Sequence, residues 1–278
     1  MHILLLASAF NSLTQRVHAE LRDRGHTVAV ELALPGSALP EAVRRHSPQL
    51  VVSPMLKTAI PEEVWTAHTC LVVHPGPVGD RGPSSLDWAI HEGVDQWGVT
   101  VLQADGEMDA GDVWAFVPCR VPPVPKSELY RGEIADAALE AVLLAVERFA
   151  GGTHVPLKQD TARTADTRLR ARPYLDQSVR RIDWAEDSTQ DVLRKLRAAN
   201  SQPGVLDVLL GDEWYLHGGH PESELRGRPG ELLATRAGAV CRATKDGAVW
   251  IPELRRRRRP GLPPTYKLPA VRALGDRL

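Results

Sequence analysis

A histidine and a set of carboxylates follow two apolar segments of this sequence. Residues 70–73 are apolar and end at His74, and residues 98–103 lead into an acidic turn that holds Asp109. A carboxylate beside an imidazole orients the ring and raises its pKa, so the pair can hold and move a proton. A histidine can also stabilise a developing oxyanion. We therefore predict His74 and Asp109 as catalytic residues; for these two residues alone, a surface histidine beside an ordinary acidic turn is the alternative.

The segments upstream of His74 alternate between strand and helix patterns. Residues 3–7, 28–32 and 50–54 are apolar runs typical of strands, and the residues between them have the spacing of short helices. This alternation favours an α/β domain with a doubly wound, mostly parallel sheet. In such sheets the ligand-binding residues gather at the carboxyl ends of the strands, and His74 falls at such an end.

The second half of the chain has the pattern of a separate, smaller domain. Short β-like runs separated by turns occupy most of residues 204–252, which is typical of a small antiparallel β-barrel. The polar residues before and after this region show little periodicity. We therefore predict a first domain, a linker, a β-barrel domain and a tail, with the respective bounds 1–152, 153–180, 181–255 and 256–278.

The composition is that of an ordinary soluble protein in a reducing compartment. The 278 residues are 43% hydrophobic and 25% charged with a net charge of −1, so the chain as a whole has no attraction to nucleic acid or membranes. The three cysteines are far apart and lack C-x-x-C spacing, so we predict neither a disulfide nor a metal site. No apolar run reaches the roughly 18 residues of a membrane span. These observations together predict a cytoplasmic protein.

Two features concern nucleotide and nucleic-acid ligands. The loop after the first apolar run lacks a Gly-x-Gly-x-x-Gly pattern, which disfavours a nicotinamide or flavin cofactor. The arginine run at residues 255–259 could contact RNA phosphates, but it has no interleaved aromatic residues. We therefore interpret this run as a solvated linker and predict no nucleic-acid partner.

Short motifs in a fixed order make this sequence resemble the folate-dependent formyltransferases. The matching residues of the first half are His74-Pro75, Arg81-Gly82, Trp88-Ala89-Ile90, Gly98-Val99-Thr100 and Met108-Asp109-Ala110-Gly111-Asp112. In the second half, residues similar to the OB-like C-terminal domain of methionyl-tRNA formyltransferases are Ile182-Asp183-Trp184, Pro203-Gly204 and Gly230-Glu231-Leu232. The resemblance implies a Rossmann-like domain followed by an OB-like β-barrel domain, with 10-formyltetrahydrofolate as the co-substrate.

The resemblance also implies roles for the residues at matching positions. His74 would stabilise the tetrahedral intermediate of formyl transfer, and Asp109 would pair with it and assist proton transfer. The pterin of the folate would bind, mainly through backbone groups, between the segment after the third strand and the acidic loop. The cofactor-binding residues predicted in this way are Met55, Leu56, Gln103, Ala104, Asp105, Gly106 and Met108.

A narrower resemblance is to the formyltransferases of nickel–iron hydrogenase maturation. It is carried by residues 8–16 and by residues 74–88, which include Gly79-Asp80-Arg81-Gly82-Pro83. It implies formyl transfer to coenzyme A, towards the carbon monoxide ligand of the hydrogenase, within a longer chain that also holds a crotonase-like domain. Asn11 and Gln15 are predicted to bind the acceptor or to replace an amide donor that this sequence lacks, and an ordinary helix-start residue is the alternative for each. Arg81 and Arg131 are predicted to bind phosphates of the acceptor or carboxylates of the folate, with a solvated arginine as the alternative.

One position departs from the family pattern. Formyltransferases have an asparagine two residues before the histidine, and this sequence has Val72 there. An oxyanion-stabilising amide is therefore missing, a loss that typically costs about 100- to 1000-fold in rate. Three functions stay open on the sequence: formyl transfer to a thiol, formyl transfer to an amine of methionyl-tRNA or an amino sugar, and a non-catalytic binding or assembly module.

Overall fold

The computed structural model describes residues 1–159, 171–258, 261 and 263–278. The chain divides into two compact units, and neither unit is one continuous stretch. Unit 1 comprises Met1–Ser85, Asp95–Arg120 and Leu129–Pro173. Unit 2 comprises Leu86–Val94, Val121–Glu128 and Tyr174–Leu278. Unit 2 therefore takes two segments from the part of the chain that the sequence assigns to the first domain.

A six-stranded sheet forms the centre of unit 1. Its strands are β1 (His2–Ala7), β2 (Thr27–Leu32), β3 (Leu50–Ser53), β4 (Cys70–His74), β5 (Gln96–Gln103) and β6 (Val113–Arg120). They lie in the order β2-β1-β3-β4-β5-β6. The first four strands are parallel to one another, and β5 runs antiparallel to both of its neighbours, β4 and β6. The predicted α/β fold with a mostly parallel sheet is confirmed. Residues 3–7 of β1 are fully buried, as expected of an unbroken apolar run that is covered on both faces.

Four helices connect strands of this sheet, and two more follow β6 along the chain. Their bounds are α1 (Ser12–Asp23), α2 (Leu39–His46), α3 (Glu62–Trp65), α4 (Ser85–Glu92), α5 (Lys126–Leu129) and α6 (Glu133–Gly151). α1 begins after Asn11, whose side chain accepts a hydrogen bond from the backbone N–H of Thr14. α6 packs its alanine-rich face against β5 and β6 and ends at Gly152, which has a left-handed conformation. Neither α6 nor any other described helix has the length and apolar character needed to cross a membrane.

Unit 2 consists mainly of short antiparallel strands. Its further helices are α7 (Gln177–Arg180), α8 (Thr189–Ala198) and α9 (Ala270–Leu274). Its strands are β7 (Val205–Leu209), β8 (Asp212–His217), β9 (His220–Glu222), β10 (Leu232–Arg236), β11 (Ala239–Ala243), β12 (Ala248–Ile251), β13 (Glu253–Arg256) and β14 (Lys267–Pro269). In the described part of the chain they form two sheets, ordered β10-β11-β12-β9 and β14-β13-β8-β7. The predicted antiparallel character is confirmed.

The structure corrects the prediction of a tail after residue 255. β14 pairs with β13, and α9 buries Ala270 and Leu274 in the apolar core of unit 2. The tail prediction is therefore wrong for residues 267–274. It relied on the arginines and prolines of residues 255–264, a composition that does not reveal that residues 267–274 return to the core.

The described arginines of the run at residues 255–259 make contacts within unit 2. The guanidinium of Arg255 lies over the ring of Tyr215, 4.6 Å from its centroid, and Arg256 pairs with Asp212 at 3.1 Å. Residue 259 lies outside the described residues. The interpretation as a solvated linker is wrong for these two arginines, because β13 places them beside partners on β8.

Part of the predicted linker, residues 153–180, also makes tertiary contacts. Leu157 exchanges backbone hydrogen bonds with Val113 at the start of β6. Leu175 and Arg180 are fully buried. Residues 160–170 of this segment lie outside the described residues. Its two ends therefore contribute to the folded units.

A buried group of charges joins the three stretches of unit 2. Arg180 donates from Nη2 to Asp87 Oδ2 at 2.5 Å, and Lys126 Nζ lies 2.9 Å from Asp87 Oδ1. The side chains of these residues are between 1% and 13% exposed. Burial lowers the pKa of Lys126, although Asp87 opposes that shift. One carboxylate thus balances two cations that are largely removed from water.

Candidate active site

His74 is the last residue of β4 and lies inside unit 1. It is only 3% exposed, because the loop that follows β4 folds back against the ring, so the surface histidine considered as an alternative is not what the structure has. That loop is fixed through its carbonyl oxygens. Pro75 O accepts hydrogen bonds from Ser85 Oγ and Trp97 Nε1, and Gly76 O accepts one from Thr100 Oγ1. The histidine therefore occupies a closed, well-supported position.

Two carboxylates contact the two nitrogens of the His74 ring. Asp109 Oδ1 lies 3.4 Å from Nδ1, so the structure brings together the two residues predicted as catalytic. Asp80 Oδ2 lies 2.9 Å from Nε2. The side chain of Asp80 is fully buried, and that of Asp109 is 13% exposed. The imidazole is thus held between a deeply buried carboxylate and one that solvent partly reaches.

The electrostatics of this arrangement favour the protonated imidazole. Burial by itself lowers the pKa of His74, but the hydrogen bonds and charges of Asp109 and Asp80 outweigh burial and raise the pKa to about 9. For Asp109, burial raises the pKa, but the hydrogen bond and charge of His74 and the N–H of Gly82 lower it overall. At neutral pH the site therefore holds an imidazolium between carboxylates. Among the described residues, no group of three or more His, Cys, Asp or Glu is arranged to hold a metal ion.

Gly76 is a glycine because the ring and its partners leave no room for a side chain. A Cβ placed on Gly76 would lie 2.4 Å from His74 Nε2, 2.5 Å from Asp80 Oδ2 and 2.7 Å from Ser85 Oγ. Such distances are far below van der Waals contact. The backbone of Gly76 therefore packs directly against the pair formed by His74 and Asp80.

Asp109 is held in the acidic loop by its own backbone and by neighbouring groups. Its φ of 57° is in the left-handed region, which a non-glycine residue adopts at some cost. The N–H of Gly82 donates to Asp109 Oδ2 at 3.1 Å, and Gln159 Nε2 donates to the carbonyl oxygens of Asp109 and Gly111. These contacts aim the carboxylate at His74.

Several predicted folate-binding residues lie around one apolar cluster of unit 1. Leu56, after β3, and Ala104, after β5, pack against the same buried cluster as Val72. The N–H of Ala104 donates to Cys70 O at 2.7 Å, and this bond fixes the start of the acidic loop beside β4. Val72 and His74 lie two residues apart on β4 and so face the same side of the sheet. The structure therefore gives this position an apolar surface where the family has an amide.

The remaining predicted folate-binding residues belong to the edges of this region. Met55 accepts a backbone hydrogen bond from the N–H of Ser8, so the loops after β1 and β3 are adjacent. Gln103 accepts from Trp114 Nε1, and Asp105 accepts from the N–H of Glu107. Gly106 and Met108 lie at the exposed tip of the loop, where Met108 is 61% exposed. Among the described residues, none of these has a hydrogen bond or ion pair to His74, whose polar side-chain partners are Asp80 and Asp109.

The four predicted acceptor-binding residues lie in different parts of unit 1. Asn11 caps α1, and Gln15 Nε2 donates to Phe10 O at 2.8 Å. Arg81 pairs with Glu107 of the acidic loop at 2.9 Å, and Arg131 is exposed. The helix-start role of Asn11, an alternative for this position, is therefore the one that the structure shows. None of the four is recorded in contact with His74.

Sequence reasoning missed Asp80 as a member of the site. The residue follows Gly79 in the loop after β4, where an aspartate is usually a turn former. The available signal was its position beside Arg81-Gly82 in the motif that carries the narrower resemblance. Its contact with His74 depends on the path of the loop, which spacing alone does not reveal.

Two family models match the chain, one in each half. The model described as Formyl transferase matches residues 33–146, and the model described as Formyl transferase, C-terminal domain matches residues 175–265. Together with the fold and the histidine–carboxylate site, these matches show that the chain belongs to the formyltransferase family.

Within this family, the chain is similar to proteins of hydrogenase maturation. It is 48% identical to the hydrogenase maturation factor HoxX of Bradyrhizobium diazoefficiens over 98% of this chain and 47% of HoxX. A crystal structure of a HypX variant from Aquifex aeolicus matches with a TM-score of 0.90 and 44% identity, over 99% of this chain and 49% of HypX. A methionyl-tRNA formyltransferase of Anaeromyxobacter dehalogenans is 27% identical over 78% of this chain and 66% of that protein. The chain spans about half the length of HoxX and HypX.

Proposed function

We propose that this chain transfers a formyl group from 10-formyltetrahydrofolate to a thiol acceptor, coenzyme A, as a step of nickel–iron hydrogenase maturation. The observation that carries this proposal is the contact between His74 and Asp109 at the end of β4, in a chain that both formyltransferase models match. In this role His74 stabilises the oxyanion of the tetrahedral intermediate, and Asp109 keeps the imidazole charged. The C–S bond forms as the bond from the formyl carbon to N10 of the folate breaks, and the thiol proton ends on N10.

The folate part of the proposal has support from a relative and from the site. One crystal structure of HypX from Aquifex aeolicus, with a TM-score of 0.89 and 44% identity, is a complex with tetrahydrofolic acid. In this chain Leu56, Ala104 and Val72 are partly buried and pack against one apolar cluster of unit 1, and such apolar side chains would suit the flat face of a pterin. Met55, Gln103, Asp105, Gly106 and Met108 would complete the folate site through the backbone of the two loops.

The acceptor, the partner domain and the compartment are inferred from the relationship to hydrogenase maturation factors. Asn11, Gln15, Arg81 and Arg131 are the proposed acceptor contacts, the arginines because coenzyme A carries phosphates. The formyl product would pass to a crotonase-like domain of a longer chain for conversion to carbon monoxide. The three cysteines are free thiols, which suits the reducing cytoplasm.

The test is a transfer assay on the 278-residue chain. The protein is incubated with 10-formyltetrahydrofolate, with and without coenzyme A, and tetrahydrofolate and formyl-coenzyme A are quantified. We expect tetrahydrofolate release that depends on coenzyme A and is lost in His74→Gln. Faster turnover with methionyl-tRNA or an amino-sugar nucleotide would assign an amine acceptor instead. Tight folate binding without turnover on any acceptor would make the chain a binding module.

A further inference from the structure

The ring of His74 has two carboxylate neighbours, but they are not equivalent. Asp80 lies closer, at 2.9 Å from Nε2, and its side chain is completely buried. Asp109 lies 3.4 Å from Nδ1, in the loop that we assign to folate, and its side chain is partly exposed. The Nε2 edge of the ring is therefore sealed, whereas the Nδ1 edge faces the loop where a substrate would bind.

The side chain of Asp80 has no second hydrogen bond in the described structure that would explain its burial. Its Oδ1 is buried and has no hydrogen-bond partner among the described residues, so its Oδ2 contact with His74 is the one recorded for its side chain. A buried carboxylate is costly unless it is paired with a charged donor. The imidazolium of His74 supplies that charge, and the glycine at position 76 makes the close approach possible.

We propose that Asp80 is a positioning residue of this site. It accepts a hydrogen bond from Nε2–H of His74 and thereby turns Nδ1 towards the reacting formyl group. As a second carboxylate beside the ring, it also compensates for the missing amide at position 72. The proposal rests on the formyl-transfer function proposed above. In its usual place the asparagine amide adds a dipole at the oxyanion. Here the positive charge of the imidazolium stabilises the oxyanion instead. Two carboxylates keep the ring protonated, and one of them sets its orientation.

The groups that face the ring set the pH behaviour of this arrangement. Asp80 and Asp109 are the carboxylates in contact with it, Arg81 is the nearby cation that acts on Asp109, and Ser85 Oγ lies beside the Nε2 edge. Removal of either carboxylate lowers the pKa of His74, because burial favours the neutral ring and fewer negative charges then favour the protonated one. The two removals differ in which nitrogen of the neutral ring keeps its proton.

The experiment is ¹⁵N NMR of the histidine side chains in the full 278-residue chain. His74→Gln identifies the signals of His74 among the ten histidines. In the unsubstituted protein we expect the imidazolium at pH 7 and the Nε2–H tautomer once the ring is deprotonated. Asp109→Asn retains the Nε2–H tautomer, whereas Asp80→Asn moves the proton to Nδ1 and lowers the pKa of His74 by roughly one unit or more. The control Asp136→Asn, an exposed carboxylate paired with Arg16, leaves both features unchanged.

Kinetics complete the test. In Asp80→Asn we expect kcat to fall by roughly 100-fold, with KM for the folate nearly unchanged, because a mispositioned ring affects the transition state more than ground-state binding. An Nδ1–H tautomer in the unsubstituted protein, or an unchanged tautomer in Asp80→Asn, would overturn the proposal. If Asp80→Asn does not fold, the unsubstituted protein is measured at a pH above the pKa of His74. The Nε2–H tautomer there supports the proposal, and the Nδ1–H tautomer refutes it. The NMR result does not depend on turnover, so a chain that transfers no formyl group refutes the proposed function without deciding the role of Asp80.

Discussion

Asp80 Oδ2 lies 2.9 Å from His74 Nε2, six residues along the chain, on an edge of the ring that solvent does not reach. This contact and the one from Asp109 enclose a single imidazole between two carboxylates. A protonated ring is the outcome, and a protonated ring supplies positive charge where an oxyanion would develop.

Replacement of Asp109 by asparagine is expected to reduce formyl transfer by about 100- to 10,000-fold. The asparagine keeps the size of the side chain but removes the charge that holds the imidazole protonated. Initial rates of tetrahydrofolate release, measured side by side with His74→Gln, check this expectation. Asp136→Asn should keep the unsubstituted rate, because its carboxylate lies on the surface of α6. Full activity in both Asp109→Asn and His74→Gln would remove both residues from the mechanism.

The stability of the protein is expected to fall between pH 6.5 and about 9 through His74. The folded-state pKa is raised from 6.5 to about 9, so the contribution of the ring is complete below pH 6.5 and is lost as the pH rises through the folded value. Urea unfolding at a series of pH values, for the unsubstituted protein and His74→Gln, checks this. The difference between their unfolding free energies should shrink over this window. A difference that stays constant up to pH 10 would contradict the raised pKa.

Gly76→Ala is expected to destabilise the protein by about 1–3 kcal/mol and to separate His74 from Asp80. The added methyl group would lie 2.4 Å from His74 Nε2, so either the ring or the loop must move. Thermal unfolding and the transfer assay measure the two effects. Gly151→Ala is the matched control, since a Cβ at that helix position meets no atom within 4 Å. Equal behaviour of the two variants would show that the contact at Gly76 relaxes freely.

Gly111→Ala is expected to weaken folate binding by disturbing the acidic loop. A Cβ at this position would lie 1.8 Å from Gln103 O, which is backbone and cannot rotate away. Loop residues 103–108, including Ala104, would then shift relative to Leu56 and Val72, which pack against the same apolar cluster. Calorimetric titration with tetrahydrofolate should show at least a tenfold rise in Kd, about 1.4 kcal/mol. An unchanged Kd would place the pterin away from this loop.

Asp87→Asn is expected to destabilise unit 2 by about 3–5 kcal/mol, because it leaves buried Arg180 and partly buried Lys126 without their carboxylate. The free energy of unfolding, from urea titration followed by tryptophan fluorescence, measures the effect. The same change at Asp136, whose side chain is 68% exposed, should cost at most about 1 kcal/mol. Similar losses in the two variants would mean that water reaches Arg180 in solution.

The sequence predicted the central sheet well because its signals are local. The unbroken apolar run of β1 and the histidine at the end of β4 are properties of a few consecutive residues, and the structure has both strands near the predicted bounds. The contact between His74 and Asp109 does not follow from the strand order, because β5 runs antiparallel to β4 and the acidic loop begins beside Cys70. The loop has to fold back along β4 to bring Asp109 to the ring. Asp80 could not be found in the same way, because a loop residue can point anywhere until the path of the loop is known.

Long-range packing explains the two main corrections. The prolines after residue 259 predict the end of a domain, but α9 returns to the core, where Leu274 is 2% exposed. Apolar residues in a five-residue helix carry too little periodicity to reveal the surface against which they pack. Likewise, no local pattern shows that residues 86–94 and 121–128 pack with residues beyond 174.

This interrupted chain path limits how the gene for such a protein can be rearranged. Because Asp87, Lys126 and Arg180 come from three separate stretches, a recombination event at one point between residues 94 and 174 would separate charges that are buried together. A hybrid gene would bring Arg180 from one parent and Asp87 from another, so its product would fold well only if both parents kept this pairing. The two halves of the coding sequence are therefore expected to be inherited together and to tolerate shuffling poorly, although each half matches its own family model.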